Sequence, residues 1–344
     1  VYNAGLLEFQ LEGPYVNGSG PANILEQFSA AVTQVVDASA PAIVSVRISR
    51  PGPVPSPFHT GGYEIGSAGS GVVVEPNGLV LTNSHVVNRA RSVNVTFIDG
   101  LTASARVVGV DEETDLAVLR VDNSGLPHLH WAGPAQVRPG LFVMALGRPG
   151  GGQIAVTTGI VSATGRTLRT AAGSLLQNVI QTSAALSPGT SGGALVDAQG
   201  HLVGLNVAAP PASSGVAFAI PAETVQWVAE RLLADGRVVR RYLGFAGQAT
   251  AVSPRLASGL GLDVICGVSV EHLDDGGPAA EAGLCRKDVI VEIASRPVHD
   301  IGMVQRIVAE PGLRGPVKVV AIRSDRRIEL SLEPRDASPV AAGS

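Results

Sequence analysis

The sequence predicts a mainly β chain built as two units, a larger all-β unit followed by a smaller α+β one. Three observations carry this. Gly occurs 42 times in 344 residues, far above the usual ~7%, and Gly serves tight turns and bulges at a cost in helices. Between Gly69 and Ile220 short apolar runs alternate with turn residues. No helical periodicity interrupts those runs, which disfavours a doubly wound α/β sheet and favours a sandwich or a pair of barrels.

Taken in order, residues 1–22 read as an extension or linker, because "GPYVNGSGPAN" has linker composition. Tyr2 and Phe9 within it are offered as inter-subunit contacts. Residues 23–38 place Ile24, Leu25, Phe28, Val32, Val35 and Val36 at helical spacing behind Asn23, a suitable N-cap. The strand "AIVSVRI" and a Pro-rich loop follow. "SGVVVEP-NG-LVLTNSHVV" and "SVNVTFI-DG-LTASARVVGV" read as hairpins with two-residue turns at Asn77-Gly78 and Asp99-Gly100. Further strands run to "VAFAI". Then "PAETVQWVAERLLADG" reads as a helix opened by Pro221 and closed by Gly236. The boundaries are thus 23–236 for the first unit, 242–334 for the second, and 335–344 for a disordered tail.

Composition excludes several classes. The apolar fraction of 45% with 16% charged residues belongs to a globular chain with aliphatic cores, since aromatics are only 4%. A net charge of −4 gives no general attraction to nucleic acid, and the short "RVVRR" run reads as a solvated connector. No apolar run is long enough to span a membrane as a helix. Cys266 and Cys285 fit neither a CxxC nor a zinc pattern, so free thiols and one disulfide are both open. His128 and His130 lack further nearby ligands. Neither metal nor cofactor is expected.

The chemistry centres on Ser191 in "AALSPGTSGGALVD". A serine hydroxyl is a weak nucleophile unless a base takes its proton and a third group orients that base. His85 ends a strand in "LVLTNSHVV". Asp115 enters one in "DEETDLAVLRV", with Asp111 the second choice of orienting acid. Pro188-Gly189 before the serine lets the Gly189 N–H point with the Ser191 N–H at one oxyanion, and the expected oxyanion hole comprises Gly189, Thr190 and Ser191.

These three fragments, "TNSHVV", "TDLAVLRV" and "QTSAALSPGTSGGALVDAQGHLVGLNVA…GVAFAIP", resemble the HtrA/Deg-type serine proteases over roughly residues 25–335. The resemblance implies a chymotrypsin-like double β-barrel with His85, Asp115 and Ser191 as triad. The second unit, through "YLGF" (Tyr242, Leu243, Gly244, Phe245) and "GVSVEHLDDGGPAAEAGLCRKDVIVEIASRPV", resembles a PDZ domain. There the Leu243-Gly244-Phe245 turn would hold a peptide carboxylate and the strand 267–270 would pair with the peptide. Met303 and Ile307 would line its apolar pocket. Leu186 and the strand residues Leu205, Asn206 and Val207 are the candidate walls of the specificity pocket. With no acid in "ALSPGTS", small or medium aliphatic P1 residues are expected.

The resemblance further implies misfolded or exported proteins as substrates, a homotrimer or a multiple of it, and a periplasmic or other extracytoplasmic address. The sequence departs from the family's usual pattern at Ser84, Ser183, Thr190 and Ala194. Two rivals are weighed. G-x-S-x-G also occurs in α/β-hydrolases, but those need the order Ser, acid, His and parallel βα units. A protease-fold chaperone or PDZ binding protein with little catalysis would keep the fold without turnover.

Overall fold

The computed structural model describes residues 23–51, 64–133, 136–169, 175–207, 215–310, 312–313 and 315–336. The calls on residues 1–22, including Tyr2 and Phe9, and on 337–344 lie outside these. The chain opens with α1 (Ile24–Ser39), capped as predicted: the Leu25 N–H donates to the Asn23 side chain at 3.1 Å, and Glu26 accepts from the Asn23 N–H at 3.2 Å.

Six strands then close a first barrel: β1 (Ile43–Pro51), β2 (Glu64–Glu75), β3 (Leu79–Thr82), β4 (Ser92–Thr96), β5 (Thr102–Asp111) and β6 (Leu116–Val121), in the spatial order β1-β2-β3-β6-β5-β4. The short helix α2 (Ser84–Val87) leaves β3. A second barrel follows: β7 (Phe142–Gly147), β8 (Ala155–Arg169), β9 (Leu175–Thr182), β10 (Ala194–Val196), β11 (Leu202–Val207) and β12 (Ala217–Pro221), closed by the pairing of β10 with β7. Closure removes exposed edges from both. Their cores are aliphatic, as the composition requires, with Ile43, Leu81, Leu116, Leu119, Leu146, Ile180 and Leu195 fully buried.

Both predicted hairpins are present, but each loop holds three residues rather than two. Glu75 pairs with Leu79 around Pro76-Asn77-Gly78, and the Phe97 N–H bonds Leu101 around Ile98-Asp99-Gly100. The third residue is Gly at φ 89° and 85° respectively. A three-residue loop needs its left-handed residue at that place, and Asn-Gly or Asp-Gly satisfies it as well as it does the two-residue turn.

Helix α3 (Ala222–Asp235) lays Val225, Val228, Ala229 and Leu232 against the barrels and ends at Gly236 (φ 67°). The second unit is a five-strand path of β14 (Phe245–Ala251), β15 (Cys266–Leu273), β16 (Val289–Ile293), β18 (Val317–Arg323) and β19 (Arg326–Leu332), with β17 (Arg296–Pro297) on β16. Helices α4 (Pro254–Gly259), α5 (Pro278–Glu281) and α6 (Ile301–Val308) cover it. A two-strand ladder joins β13 (Arg241–Tyr242) to β20 (Arg335–Asp336). Residues 335 and 336, expected to open a disordered tail, are instead ordered: both pair in the ladder, and Arg335 adds an ion pair to Glu281 at 2.5 Å.

The two units touch through polar groups. The Asn178 amide on β9 donates to Asp300 Oδ1 at 3.1 Å, and Arg306 on α6 pairs with Glu223 on α3 at 3.2 Å. Both cysteines are free thiols, Cys266 half-buried and Cys285 exposed. His128 and His130 stack edge to face at 5.2 Å. Among the described residues no three His, Cys, Asp or Glu side chains gather into a metal-binding group.

Candidate active site

His85 sits in the single turn α2, where β3 leaves the first barrel, and Asp115 opens β6 beside it. Asp115 is buried and adopts φ 54°, a left-handed conformation in which Asp and Asn are several-fold enriched. Its backbone carbonyl accepts from the Ser84 N–H at 3.1 Å and the Asn83 amide at 3.0 Å, locking the two segments together. Its carboxylate receives His85 Nδ1 at 2.8 Å (Oδ2) and 3.0 Å (Oδ1), and also the His85 backbone N–H at 3.0 Å. With Nδ1 engaged, Nε2 is the nitrogen left for chemistry, on a side chain that is 44% exposed.

One donor escaped the sequence reading. Ser84 Oγ gives a fourth contact to the carboxylate, on Oδ1 at 2.8 Å. Its departure from the family's usual residue was the available signal. Asp111, the alternative orienting acid, is engaged elsewhere. It takes the Arg240 guanidinium on both oxygens at 2.6 Å and the Thr114 N–H at 3.2 Å. Glu113 beside it is pushed above the ordinary carboxyl value by burial, against the pull of Arg240.

Ser191 arrives from the second barrel. The Ser70 N–H on β2 bonds the Ser191 carbonyl at 2.9 Å. A Cβ on Gly192 would lie 2.3 Å from the Ser70 carbonyl and 3.1 Å from the Asn83 nitrogen, so only Gly lets the Ser191 loop seat against Asn83, two residues before His85. Among the described residues the Ser191 hydroxyl makes no hydrogen bond; such bonds often tighten only once substrate is in place.

Residues 187–190 form a turn closed by the Thr190 N–H on the Ser187 carbonyl at 3.1 Å. Pro188 followed by Gly189 at φ 87° is the pattern of a type II turn, whose third position demands positive φ. The Thr190 N–H is thereby committed to the turn, which corrects its inclusion among the oxyanion donors. The N–H groups of Gly189 and Ser191 donate to no protein acceptor among the described residues.

The proposed specificity wall needs correction as well. Leu205, Asn206 and Val207 are fully buried on β11. The two aliphatic side chains join the barrel core, and the Asn206 amide donates to the carbonyls of Ala194 (2.9 Å) and Leu146 (3.2 Å). Among the described residues their side chains are enclosed, and of the four candidates only Leu186 is half-exposed. The neighbouring residues 208–214 lie outside the described ones.

In the second unit Tyr242, Leu243, Gly244 and Phe245 line a cleft of about 620 Å³ together with Ile301 and Gln305 of α6, Gln177 and Glu113 of the first unit, and Arg240 of the connector. Gly244 has φ 74°, and its carbonyl and that of Leu243 accept from the Asp274 and Ala279 N–H groups at 3.0 and 2.9 Å. The Leu243 and Gly244 N–H groups donate to no protein acceptor among the described residues. Tyr242 donates to Asp274 Oδ2 at 2.5 Å, a bond that raises the phenol above its ordinary value. The strand expected to pair with a peptide is not the edge: β15 lies between β14 and β16, and β14 is outermost. Ile307 likewise belongs to the core, and Ile301 with Gln305 takes the place of Met303 and Ile307 along the cleft.

Comparison with known proteins gives the context. The trypsin-like peptidase domain matches residues 69–205 and the PDZ domain residues 270–315. Serine endoprotease DegS of Escherichia coli K12 is 36% identical over 276 residues, covering 78% of this chain and 77% of its own length. A probable periplasmic serine endoprotease, DegP-like, of Rickettsia conorii is 35% identical over 270 residues, 77% of this chain; the chain spans 53% of that relative. Among solved structures, the HtrA-type protease AlgW with tripeptide superposes with a TM-score of 0.64 at 34% identity, covering 91% of this chain and 99% of its own. The serine endoprotease from Yersinia pestis gives 0.58 at 30% identity, over 93% and 100% of the two chains. A trypsin-like domain joined to one PDZ domain, with relatives of this identity along most of its length, makes the chain a member of the HtrA-type serine proteases.

Proposed function

We propose that the protein is an ATP-independent serine endopeptidase acting on misfolded or exported proteins, with His85, Asp115 and Ser191 as its triad. One observation carries the reading. The Asp115 carboxylate fixes His85 through Nδ1, and the glycine after Ser191 packs on Asn83, two residues before that histidine, while the Gly189 and Ser191 N–H groups have no protein acceptor among the described residues. His85 Nε2 takes the Ser191 proton as Oγ attacks the peptide carbonyl, and returns it to the leaving amine; Asp115 stabilises the imidazolium between. The Gly189 and Ser191 N–H groups receive the oxyanion. Water then releases the acyl group by the same relay. Small or medium aliphatic P1 residues suit a site with no acid in the "ALSPGTS" loop.

The cleft beside Tyr242–Phe245 takes peptide C-termini, its free N–H groups meeting the carboxylate and the outer strand β14 pairing with the peptide. The exposed apolar residues Ile24, Leu25 and Phe28 of α1 support assembly of copies, as a homotrimer or a multiple of it. The periplasmic relatives support an extracytoplasmic address.

A fluorophosphonate probe tests the triad directly. The wild-type protein, with and without a C-terminal peptide, should label on Ser191 and cleave casein. Ser191→Ala should lose the label and about 10⁴–10⁶ in turnover, about 5–8 kcal/mol of barrier. Wild-type protein that neither labels nor cleaves would instead favour the chaperone or binding-protein reading.

A further inference from the structure

The Ser187–Thr190 turn is held by a side chain that the triad does not use. Ser70, fully buried on β2 of the first barrel, reaches across to the second barrel. Its hydroxyl accepts the Arg148 N–H at 2.8 Å and donates to the Gly189 carbonyl at 2.7 Å. Because the oxygen is already an acceptor of one N–H, its single proton has a defined target, the Gly189 carbonyl.

The rest of the cradle is apolar. A Cβ on Gly147 would meet Thr190 at 2.8 Å, and one on Gly189 would meet Pro149 Cβ at 2.8 Å. The turn therefore rests on the Gly147-Arg148-Pro149 backbone, and the Ser70 hydroxyl bonds both that backbone and the turn. A Pro-Gly pair at the centre of a four-residue turn is compatible with type I as well as type II. A type I turn would place it at φ of about −90° and rotate the Pro188–Gly189 peptide so that its N–H leaves the oxyanion position. The observed φ of 87° keeps it there.

We infer that Ser70 is a positioning residue for the oxyanion hole: its hydroxyl pins the Gly189 carbonyl and so holds the Gly189 N–H in its donating orientation. The inference rests on the proteolytic reading above. Ser70 acts through Gly189 and touches no substrate.

The test is Ser70→Ala, which removes the hydroxyl while leaving the Ser70 N–H bond to the Ser191 carbonyl in place. Short-peptide turnover is measured beside inhibition by a matched peptide aldehyde. The aldehyde adds to Ser191 Oγ, and its carbonyl oxygen takes the position of the oxyanion. The expected result is a fall of about 10- to 100-fold in kcat with KM little changed. The aldehyde Ki should rise in step with the fall in kcat/KM. Ser70→Cys, which keeps size and a weak donor, should lie between wild type and Ser70→Ala.

Circular dichroism and active-site titration give the folded fraction of each variant. A loss of turnover equal to the lost folded fraction, with the aldehyde Ki unchanged, overturns the inference. So does full activity of Ser70→Ala. If Ser70→Ala does not fold, the same Ki comparison on Ser70→Cys decides. Wild-type protein without turnover would overturn the proteolytic reading, and this inference with it.

Discussion

Two glycine turns, one in each unit, do related work under opposite constraints. In both, a Gly at positive φ goes with backbone N–H groups that meet no protein acceptor among the described residues: Gly189 at 87° and Gly244 at 74°. The first is enclosed by Ser70, Gly147 and Pro149. The second opens onto a cleft of about 620 Å³. The difference follows from the anions proposed. A charge that exists only in a transition state is best met by donors that need not reorganise. A peptide carboxylate carries its charge permanently, and there access matters as much as rigidity.

The comparison can be broken at each turn. The largest effect is expected from Gly189→Ala, whose Cβ must approach Pro149 Cβ at 2.8 Å at a φ that Ala avoids. Its kcat should fall about 10²–10³-fold, while affinity for a C-terminal peptide, read by fluorescence anisotropy, should stay at the wild-type value. Gly244→Ala should do the reverse. Its Cβ would lie 2.9 Å from the Gly277 Cα, a backbone atom that cannot swing aside. Strain of about 1–3 kcal/mol weakens C-terminal peptide binding about 10- to 100-fold, with short-peptide cleavage by the free enzyme kept. Equal loss of both properties in either variant would mean that the turns are not separable.

The smallest effect concerns the joint between the units. His299, bonded to Asp300 Oδ2 at 2.8 Å, is raised above its ordinary 6.5 by that bond, so the stabilisation is present below 6.5 and lost as pH rises through the raised value. Burial opposes the charge on Asp300, but the His299 bond, the Met303 N–H and Arg306 hold it below its ordinary 3.8. Its contribution is present above 3.8 and lost as pH falls through the lowered value. His299→Gln should therefore narrow the fall in Tm between about pH 5 and pH 9. The difference should be at most about 1 kcal/mol, because the His299 side chain is 53% exposed. Parallel curves for variant and wild type would remove His299 from the joint.

What could be read beforehand was whatever is local. The strands, their Gly turns, the Asn23 cap and the Pro221–Gly236 helix all follow from adjacent residues. The choice of Asp115 over Asp111 needed the family match, since both acids lie in the short stretch before "LAVLRV"; the structure ends β5 on Asp111 and pairs it with Arg240, 129 residues away. Strand order was not legible either. "GVSV" alternates like an edge strand, yet Val268 and Val270 are buried between neighbours on both sides. Ser70 gave no local signal, because its partners at 148 and 189 are distant in sequence. Leu205 and Val207 look like pocket walls only if the barrel interior is left out of account.

The barrels also set a timetable. On the proposed assignment the base and its orienter belong to residues 43–121, while the nucleophile belongs to 142–221. A growing chain can complete its first barrel and hold His85 in place with no nucleophile yet made. Cutting power then appears only after the later barrel has closed and docked. The partly made protein is harmless to itself and to its neighbours while it is most exposed.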